Sequence, residues 1–177
     1  TDNKDRDKIL KKRVINNWLK LNEYSYKKNM PTLIWEPMSI SREFGETISE
    51  CKKIQKLLNK KNNKKINICL DVGHGDINSK NKNNFNPYKW LEAFASESPV
   101  IHLKQVKKNN FSHLPFTKKN NVSGLIEPLK ILRIIEKKRT HSTELAFELS
   151  FKERDPIDSN MKNDPISSVK YWKSFLN

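Results

Sequence analysis

The hydrophobic positions along the chain follow two spacings, one typical of helices and one typical of strands. Apolar residues three and four positions apart predict amphipathic helices, at about residues 4–28, 48–58, 87–94, 127–138 and 165–175. Short apolar runs of strand length lie between them, at residues 32–38, 66–72, 100–104 and 145–149. The order is one helix followed by four strand–helix units, which predicts an α/β fold with a parallel sheet packed against helices.

Each predicted strand has one bulky apolar face and an opposite face with a polar side chain near its carboxyl end. Successive side chains in a strand point to opposite faces. The polar residues that share the second face are Glu36, Asp71, His102 and Glu148. Any one acidic residue at a strand end is more often a helix cap or a loop hydrogen-bonding group. Four polar residues on the same face of consecutive strands predict one common site, because ligands bind at the carboxyl ends of parallel strands.

The chemistry of these four side chains indicates a metal site. Two glutamates, one aspartate and one histidine form a mixed oxygen–nitrogen donor set. Such a set suits Mn²⁺, Mg²⁺ or Co²⁺ better than a structural zinc ion, which prefers cysteine and histidine. We therefore expect a divalent metal ion at this end of the sheet.

Around these residues the sequence resembles the xylose isomerase-like superfamily of TIM barrels, in particular its sugar-phosphate isomerases and epimerases. Four short segments are similar, in order, to the fifth, sixth, seventh and eighth strands of that barrel: Trp35–Ser39, Leu70–His74, Ile101–Gln105 and Phe147–Leu149. The stretch from Leu33 to Gly45 is most similar to the branch that acts on tetrulose phosphates such as erythrulose phosphate.

The resemblance implies a (β/α)8 TIM barrel of which only the C-terminal four βα units are present. We interpret residues 1–177 as a single domain, the C-terminal half of the barrel from helix 4 through helix 8. A complete barrel typically needs about 200 residues or more. The chain is therefore expected to be half of a longer enzyme, and the alternative is a half barrel that pairs with a second copy.

The resemblance also implies an isomerase that removes a proton from the carbon beside a ketone. All four site residues would bind the metal, and Glu36 and Glu148 would in addition serve as acid and base on opposite faces of that carbon. The metal would hold the carbonyl and stabilise the enediolate, so no redox cofactor is needed. Which ketose is used, and whether the product is an epimer or an aldose, stays open.

The expected substrate is a small phosphorylated sugar. The candidate substrate-binding residues are His74, His113, Arg42, Lys104 and Arg154. By resemblance, His74 touches the substrate from its position three residues after Asp71. Arg42 is favoured for the phosphate because a guanidinium group binds phosphate through paired hydrogen bonds.

The net charge of +15, from 35 Lys and Arg against 20 Asp and Glu, favours a polyanionic partner. The corresponding alternative is an AP endonuclease-like DNA repair enzyme of the same superfamily. Nucleic acid is disfavoured because the lysines lie on helix faces and in Lys/Asn-rich segments without interleaved aromatic residues. Residues 107–113 also lack the Asp-x-His pairing of those enzymes. A further alternative is an inactive half barrel that only binds metal.

Several features predict a cytoplasmic protein. No apolar run is long enough to cross a bilayer, so no membrane partner is expected. Cys51 and Cys69 lie in apolar patterns and are interpreted as reduced core residues. The opening residues lead into a charged amphipathic segment and do not resemble a signal peptide. Assembly into a homo-oligomer is left open.

Overall fold

The computed structural model describes residues 4–40, 43–60, 64–108, 110–138, 142–150 and 161–176. Its strands are β1 (Ile34–Trp35), β2 (Asn67–Asp71), β3 (Val100–Leu103), β4 (Gln105–Lys107), β5 (Asn110–Leu114) and β6 (Glu144–Phe147). Its α-helices are α1 (Lys4–Lys27), α2 (Ile48–Leu58), α3 (Pro87–Phe94), α4 (Lys118–Val122), α5 (Pro128–Lys138) and α6 (Asn163–Lys173). Short 3₁₀ helices cover Lys82–Phe85 and Ala95–Glu97.

Four of these strands form one parallel sheet in the order β1-β2-β3-β6. Each neighbour in the sheet is also the next sheet strand along the chain, and at least one helix lies between successive sheet strands. The register pairs Trp35 with Ile68 and Asp71 with His102. The prediction of an α/β fold with a parallel sheet is confirmed, although β1 is only two residues long.

The bulky face of the sheet and the inner faces of the helices form the hydrophobic core. Leu70, Ile101 and Leu103 are at most 1% exposed on the strands, and Leu91 and Ile131 are fully buried on α3 and α5. Burying one such side chain contributes roughly 1.5–3 kcal/mol. This packing leaves the opposite face of the sheet to the polar residues, as the strand pattern predicts.

Helix starts are defined by local side-chain caps. The Asn86 side chain accepts a hydrogen bond from the backbone N–H of Tyr88, and Pro87 occupies the first turn of α3. Thr47 caps α2 in the same way through the N–H of Glu50. Such caps satisfy N–H groups that have no partner within the helix. They set where α2 and α3 begin.

Strands β4 and β5 form an antiparallel hairpin in a segment to which the sequence pattern assigns neither a helix nor a strand. Gln105 begins the hairpin and is 1% exposed. Its side-chain Oε1 accepts a hydrogen bond from the N–H of Ile126 at 2.9 Å, and its Nε2 donates to Asn121 Oδ1 at 3.1 Å. The hairpin is held by these tertiary contacts, and it carries His113 towards the sheet.

Helix α1 forms as predicted, but much of its apolar surface is exposed. Ile9, Val14 and Leu21 are 54%, 42% and 50% exposed, while Ile15 and Trp18 pack against the core. Among the described residues, no helix has the length and apolar character needed to cross a bilayer.

Candidate metal centre

The structure brings the four predicted metal ligands into one group. One ligand atom from each of Glu36, Asp71, His102 and Glu148 lies within 4.8 Å of the others. Asp71 and His102 are register partners on adjacent central strands. Glu36 and Glu148 directly follow β1 and β6, the two edge strands of the sheet. The group therefore forms because the four side chains share one face of the parallel sheet, near the carboxyl ends of its strands.

The Nδ1 atom of His102 faces the three carboxylates. It lies 3.5 Å from Glu36 Oε1, 3.5 Å from Glu148 Oε2 and 4.0 Å from Asp71 Oδ2. Glu36 Oε1, Asp71 Oδ2 and His102 Nδ1 are all buried without a hydrogen-bond partner. Buried polar atoms are normally satisfied, so three unsatisfied donor atoms directed at one another fit a shared cation. Oxygen and imidazole donors suit Mn²⁺, Mg²⁺ or Co²⁺, and which ion binds stays a prediction.

Lys104 places an ammonium group beside these carboxylates. Its side chain is fully buried, and Nζ lies 2.8 Å from Asp71 Oδ2 and 3.1 Å from Glu148 Oε2. The contact with Asp71 is an ion pair without hydrogen-bond geometry. Gly73 leaves room for the lysine, since a Cβ at that position would lie 2.5 Å from Lys104 Cε. Three ionised carboxylates and one ammonium give the group a formal charge of −2, which one divalent cation balances.

The pKa values of the carboxyl groups differ strongly. Burial raises the pKa of Asp71 to about 8 and also raises the pKa of Glu36. A hydrogen bond with Asp71, assisted by Lys104, lowers the pKa of Glu148 to about 2. Glu148 is therefore ionised at neutral pH, whereas burial disfavours the ionised form of Asp71 and makes that form depend on a neighbouring cation. A bound cation favours the ionised form of every ligand.

Two further histidines border the group. The Nδ1 of His74 lies 3.1 Å from the carbonyl oxygen of Pro37 and 3.3 Å from Glu36 Oε1. A carbonyl oxygen only accepts, so this Nδ1 carries the proton and donates. Burial, with Lys104 nearby, lowers the pKa of His74 to about 4, which keeps the ring neutral. Its Nε2 is then an acceptor and lies 3.4 Å from Lys104 Nζ.

His113 approaches from the hairpin. Its Nε2 lies 3.1 Å from Lys104 Nζ, and its Nδ1 lies 3.6 Å from Glu148 Oε1. Burial and the neighbouring Lys104 lower the pKa of His113. His74, Lys104 and His113 are thus brought to the metal group, and their contact with a substrate stays a prediction. Arg42 and Arg154, the other two predicted substrate-binding residues, lie outside the described residues.

Cys69 lies beside the site, although the sequence indicates only a core residue. It is 4% exposed, and its Sγ lies 3.3 Å from His102 Nε2. Burial, with Glu36 and Asp71 nearby, raises the pKa of the Cys69 thiol to about 12. The sequence does contain a signal for this position. Cys69 precedes Asp71 by two residues, so the two side chains lie on the same face of β2.

Comparison with known proteins finds a sequence relative that aligns with nearly the whole chain. No family model matches the sequence. D-erythrulose 1-phosphate 3-epimerase of Brucella abortus strain 2308 is 37% identical over 172 residues, which cover 97% of this chain and 56% of that protein.

A structural comparison agrees with the sequence relationship. The crystal structure of a Rhodospirillum rubrum protein described as a "Putative Xylose isomerase" matches with a TM-score of 0.76 at 18% identity, over 90% of this chain and 52% of that chain. The chain thus spans about half the length of both proteins. The chain therefore shares the α/β fold of the Rhodospirillum protein, and its sequence is related to that of the Brucella epimerase.

Proposed function

We propose that this chain carries the metal and proton-transfer residues of an isomerase that epimerises or isomerises a small ketose phosphate, with a tetrulose phosphate favoured. The observation that carries the proposal is the group of Glu36, Asp71, His102 and Glu148, whose ligand atoms lie within 4.8 Å of one another. The identity to the Brucella epimerase supports the choice of substrate. The proposal includes residues 1–177 being the C-terminal half of the barrel, helix 4 through helix 8.

A divalent cation held by these four residues would supply Lewis acidity, polarising the ketone and stabilising negative charge on its oxygen. Asp71 and His102 hold their donor atoms on the two central strands. Glu36 and Glu148 follow the two edge strands and so approach the group from opposite edges of the sheet, on its polar face. A substrate between them would present opposite faces of one carbon to the two carboxylates.

Glu148 and Glu36 are placed for complementary roles. Glu148 is ionised at neutral pH and would accept the proton from the carbon beside the ketone, whose acidity the bound cation would increase. Glu36 lies at the other edge of the sheet from Glu148 and would return a proton on the far face of that carbon. Return from the far face inverts the carbon, and the roles exchange in the reverse direction.

The neighbouring polar groups are suited to orient the substrate. The protonated Nδ1 of His74 is engaged with Pro37, so a sugar hydroxyl that donates to His74 would use Nε2, in place of Lys104. Lys104 lies between His74 and His113, within 3.4 Å of a ring nitrogen of each. We propose that these three side chains contact the oxygen atoms of the substrate.

The AP endonuclease alternative gains no support from the metal-ligand groups. Over the part of the chain that the structure describes, the two groups of metal-type ligands share Glu36 and His102. A second cluster near the hairpin, expected for such an enzyme, is not among them. The inactive half barrel is distinguished from the epimerase by the experiment below.

The test is deuterium exchange at the carbon beside the ketone. The protein is incubated with Mn²⁺ and D-erythrulose 1-phosphate in D₂O, and the signal of that proton is followed by NMR. We expect exchange in the wild type, loss of exchange on chelation, and no exchange in Glu148→Gln. Glu92→Gln is the matched control, because Glu92 is an exposed glutamate on α3. Undiminished exchange in Glu148→Gln would contradict the assigned role, and a wild type that binds Mn²⁺ without exchange would support the inactive half barrel.

A further inference from the structure

Cys69 and His102 lie side by side on the polar face of β2 and β3. The distance from Cys69 Sγ to His102 Nε2 is 3.3 Å. In a tetrahedral zinc site with bonds of about 2.3 Å to sulfur and about 2.0 Å to nitrogen, these two donor atoms lie roughly 3.5 Å apart. The thiol and the imidazole are therefore spaced to bind one ion with little movement.

Glu36 supplies a third donor to this pair. One ligand atom from each of Glu36, Cys69 and His102 lies within 4.8 Å of the others. Sulfur, nitrogen and oxygen donors together suit a thiophilic ion such as Zn²⁺ or Cd²⁺, whereas the group containing Asp71 and Glu148 lacks sulfur. The side chains of His102 and Glu36 are 25% and 26% exposed, so an ion from solvent can reach them.

We propose that Glu36, Cys69 and His102 form a second cation site, overlapping the first, for a thiophilic divalent ion such as Zn²⁺ or Cd²⁺. The ion binds Cys69 as a thiolate, and the thiol proton passes to water. Water occupies the remaining position of the ion. No oxidation or reduction takes place.

The two sites use opposite nitrogens of one imidazole. Nδ1 of His102 faces Glu36 and Glu148 at 3.5 Å, and Nε2 faces Cys69. A neutral imidazole has a lone pair on only one nitrogen at a time. An ion on Nε2 leaves Nδ1 protonated and directed at the carboxylates, so the two sites exclude each other. Inhibition of the enzyme by thiophilic ions follows, and that consequence rests on the proposed function.

The test is a titration of the full chain with Cd²⁺, kept reduced by a phosphine, with detection of sulfur-to-metal charge-transfer absorption. We expect one equivalent to produce the band in the wild type and no band in Cys69→Ser. Cys51→Ser is the matched control, because Cys51 is the other buried cysteine and lies on α2. Asp71→Asn should keep the band while losing Mn²⁺ affinity. Saturating Mn²⁺ should raise the apparent Cd²⁺ dissociation constant at least tenfold.

Absence of the band in the wild type, or its persistence in Cys69→Ser, overturns the proposal. Circular dichroism checks the fold of Cys69→Ser, and Cys69→Ala provides a second variant without the sulfur. The proposed function and the second cation site are tested by different measurements, so either can be wrong without the other. A wild type without deuterium exchange leaves the cadmium band in place, whereas normal exchange without the band overturns only the second site.

Discussion

The Nζ atom of Lys104 lies 2.8 Å from Oδ2 of Asp71, and neither side chain is exposed to solvent. A buried carboxylate and a buried ammonium each lose favourable hydration, so each depends on the other for compensation. The same ammonium lies 3.1 Å from Glu148 Oε2. Lys104 therefore balances charge among the metal ligands in addition to any contact with substrate.

Replacing Lys104 with methionine is expected to destabilise the metal-free protein. The substitution leaves Asp71 and Glu148 without their buried cation, a loss of about 3–5 kcal/mol when one partner of a buried pair is removed. Mn²⁺ should restore part of this loss, because a ligand that binds only the folded state stabilises it. Urea unfolding with and without Mn²⁺ measures both effects.

Lys89→Met provides the control for the Lys104 substitution. Lys89 is exposed and pairs with Glu92 on the surface of α3, where an ion pair contributes at most about 1 kcal/mol. Equal stability changes in the two variants would show that Lys104 does not compensate the carboxylates.

Gly75→Ala is expected to destabilise the loop after β2. A Cβ at Gly75 would lie 2.1 Å from the backbone oxygen of Asn84, and the φ angle of 134° is one that residues with a side chain rarely adopt. A clash with backbone cannot be relieved by a rotamer change, so we expect a loss of about 2 kcal/mol or more. Thermal unfolding measures this loss.

Gly73→Ala is the matched comparison in the same loop. A Cβ there would lie 2.5 Å from Lys104 Cε and 2.9 Å from Val106 Cγ1, which are both side-chain atoms, whereas the clash at Gly75 is with backbone. The main effect of Gly73→Ala should be altered Mn²⁺ affinity, with a smaller change in stability than in Gly75→Ala. Equal destabilisation by both substitutions would contradict the assigned geometry.

Glu46 is expected to make stability depend on pH. Burial, together with a hydrogen bond to Glu50, raises the pKa of Glu46 from 4.5 to about 7. Between pH 4.5 and about pH 7, the folded state therefore binds more protons than the unfolded state. The free energy of unfolding falls as the pH rises through this range. Glu46→Gln removes the charged form and should flatten this dependence.

The measurement is urea unfolding of the wild type and Glu46→Gln at intervals from pH 4.5 to 7. The variant should be relatively more stable at the upper end of this range. Glu92→Gln, at an exposed position on α3, serves as the control. A parallel pH dependence in the wild type and Glu46→Gln would exclude Glu46 as its origin.

The hairpin shows where sequence patterns were insufficient. The segment of residues 105–114 is short and rich in lysine and asparagine. It has no long alternation of apolar and polar positions. Its pairing depends on Gln105, whose side chain is bonded to Asn121 and Ile126 far along the chain. Such contacts are invisible to a local pattern, so the sequence predicted neither strand of the hairpin, although it included His113 among the candidate substrate-binding residues.

Sequence alone determined the order of the elements and the common phase of Glu36, Asp71, His102 and Glu148. Both follow from local geometry, because helical spacing and strand alternation are properties of neighbouring residues. The tertiary structure decided that Lys104 lies among the carboxylates and that Cys69 contacts His102. These relationships depend on the register between β2 and β3 and on the space left by Gly73, which only the packed sheet defines.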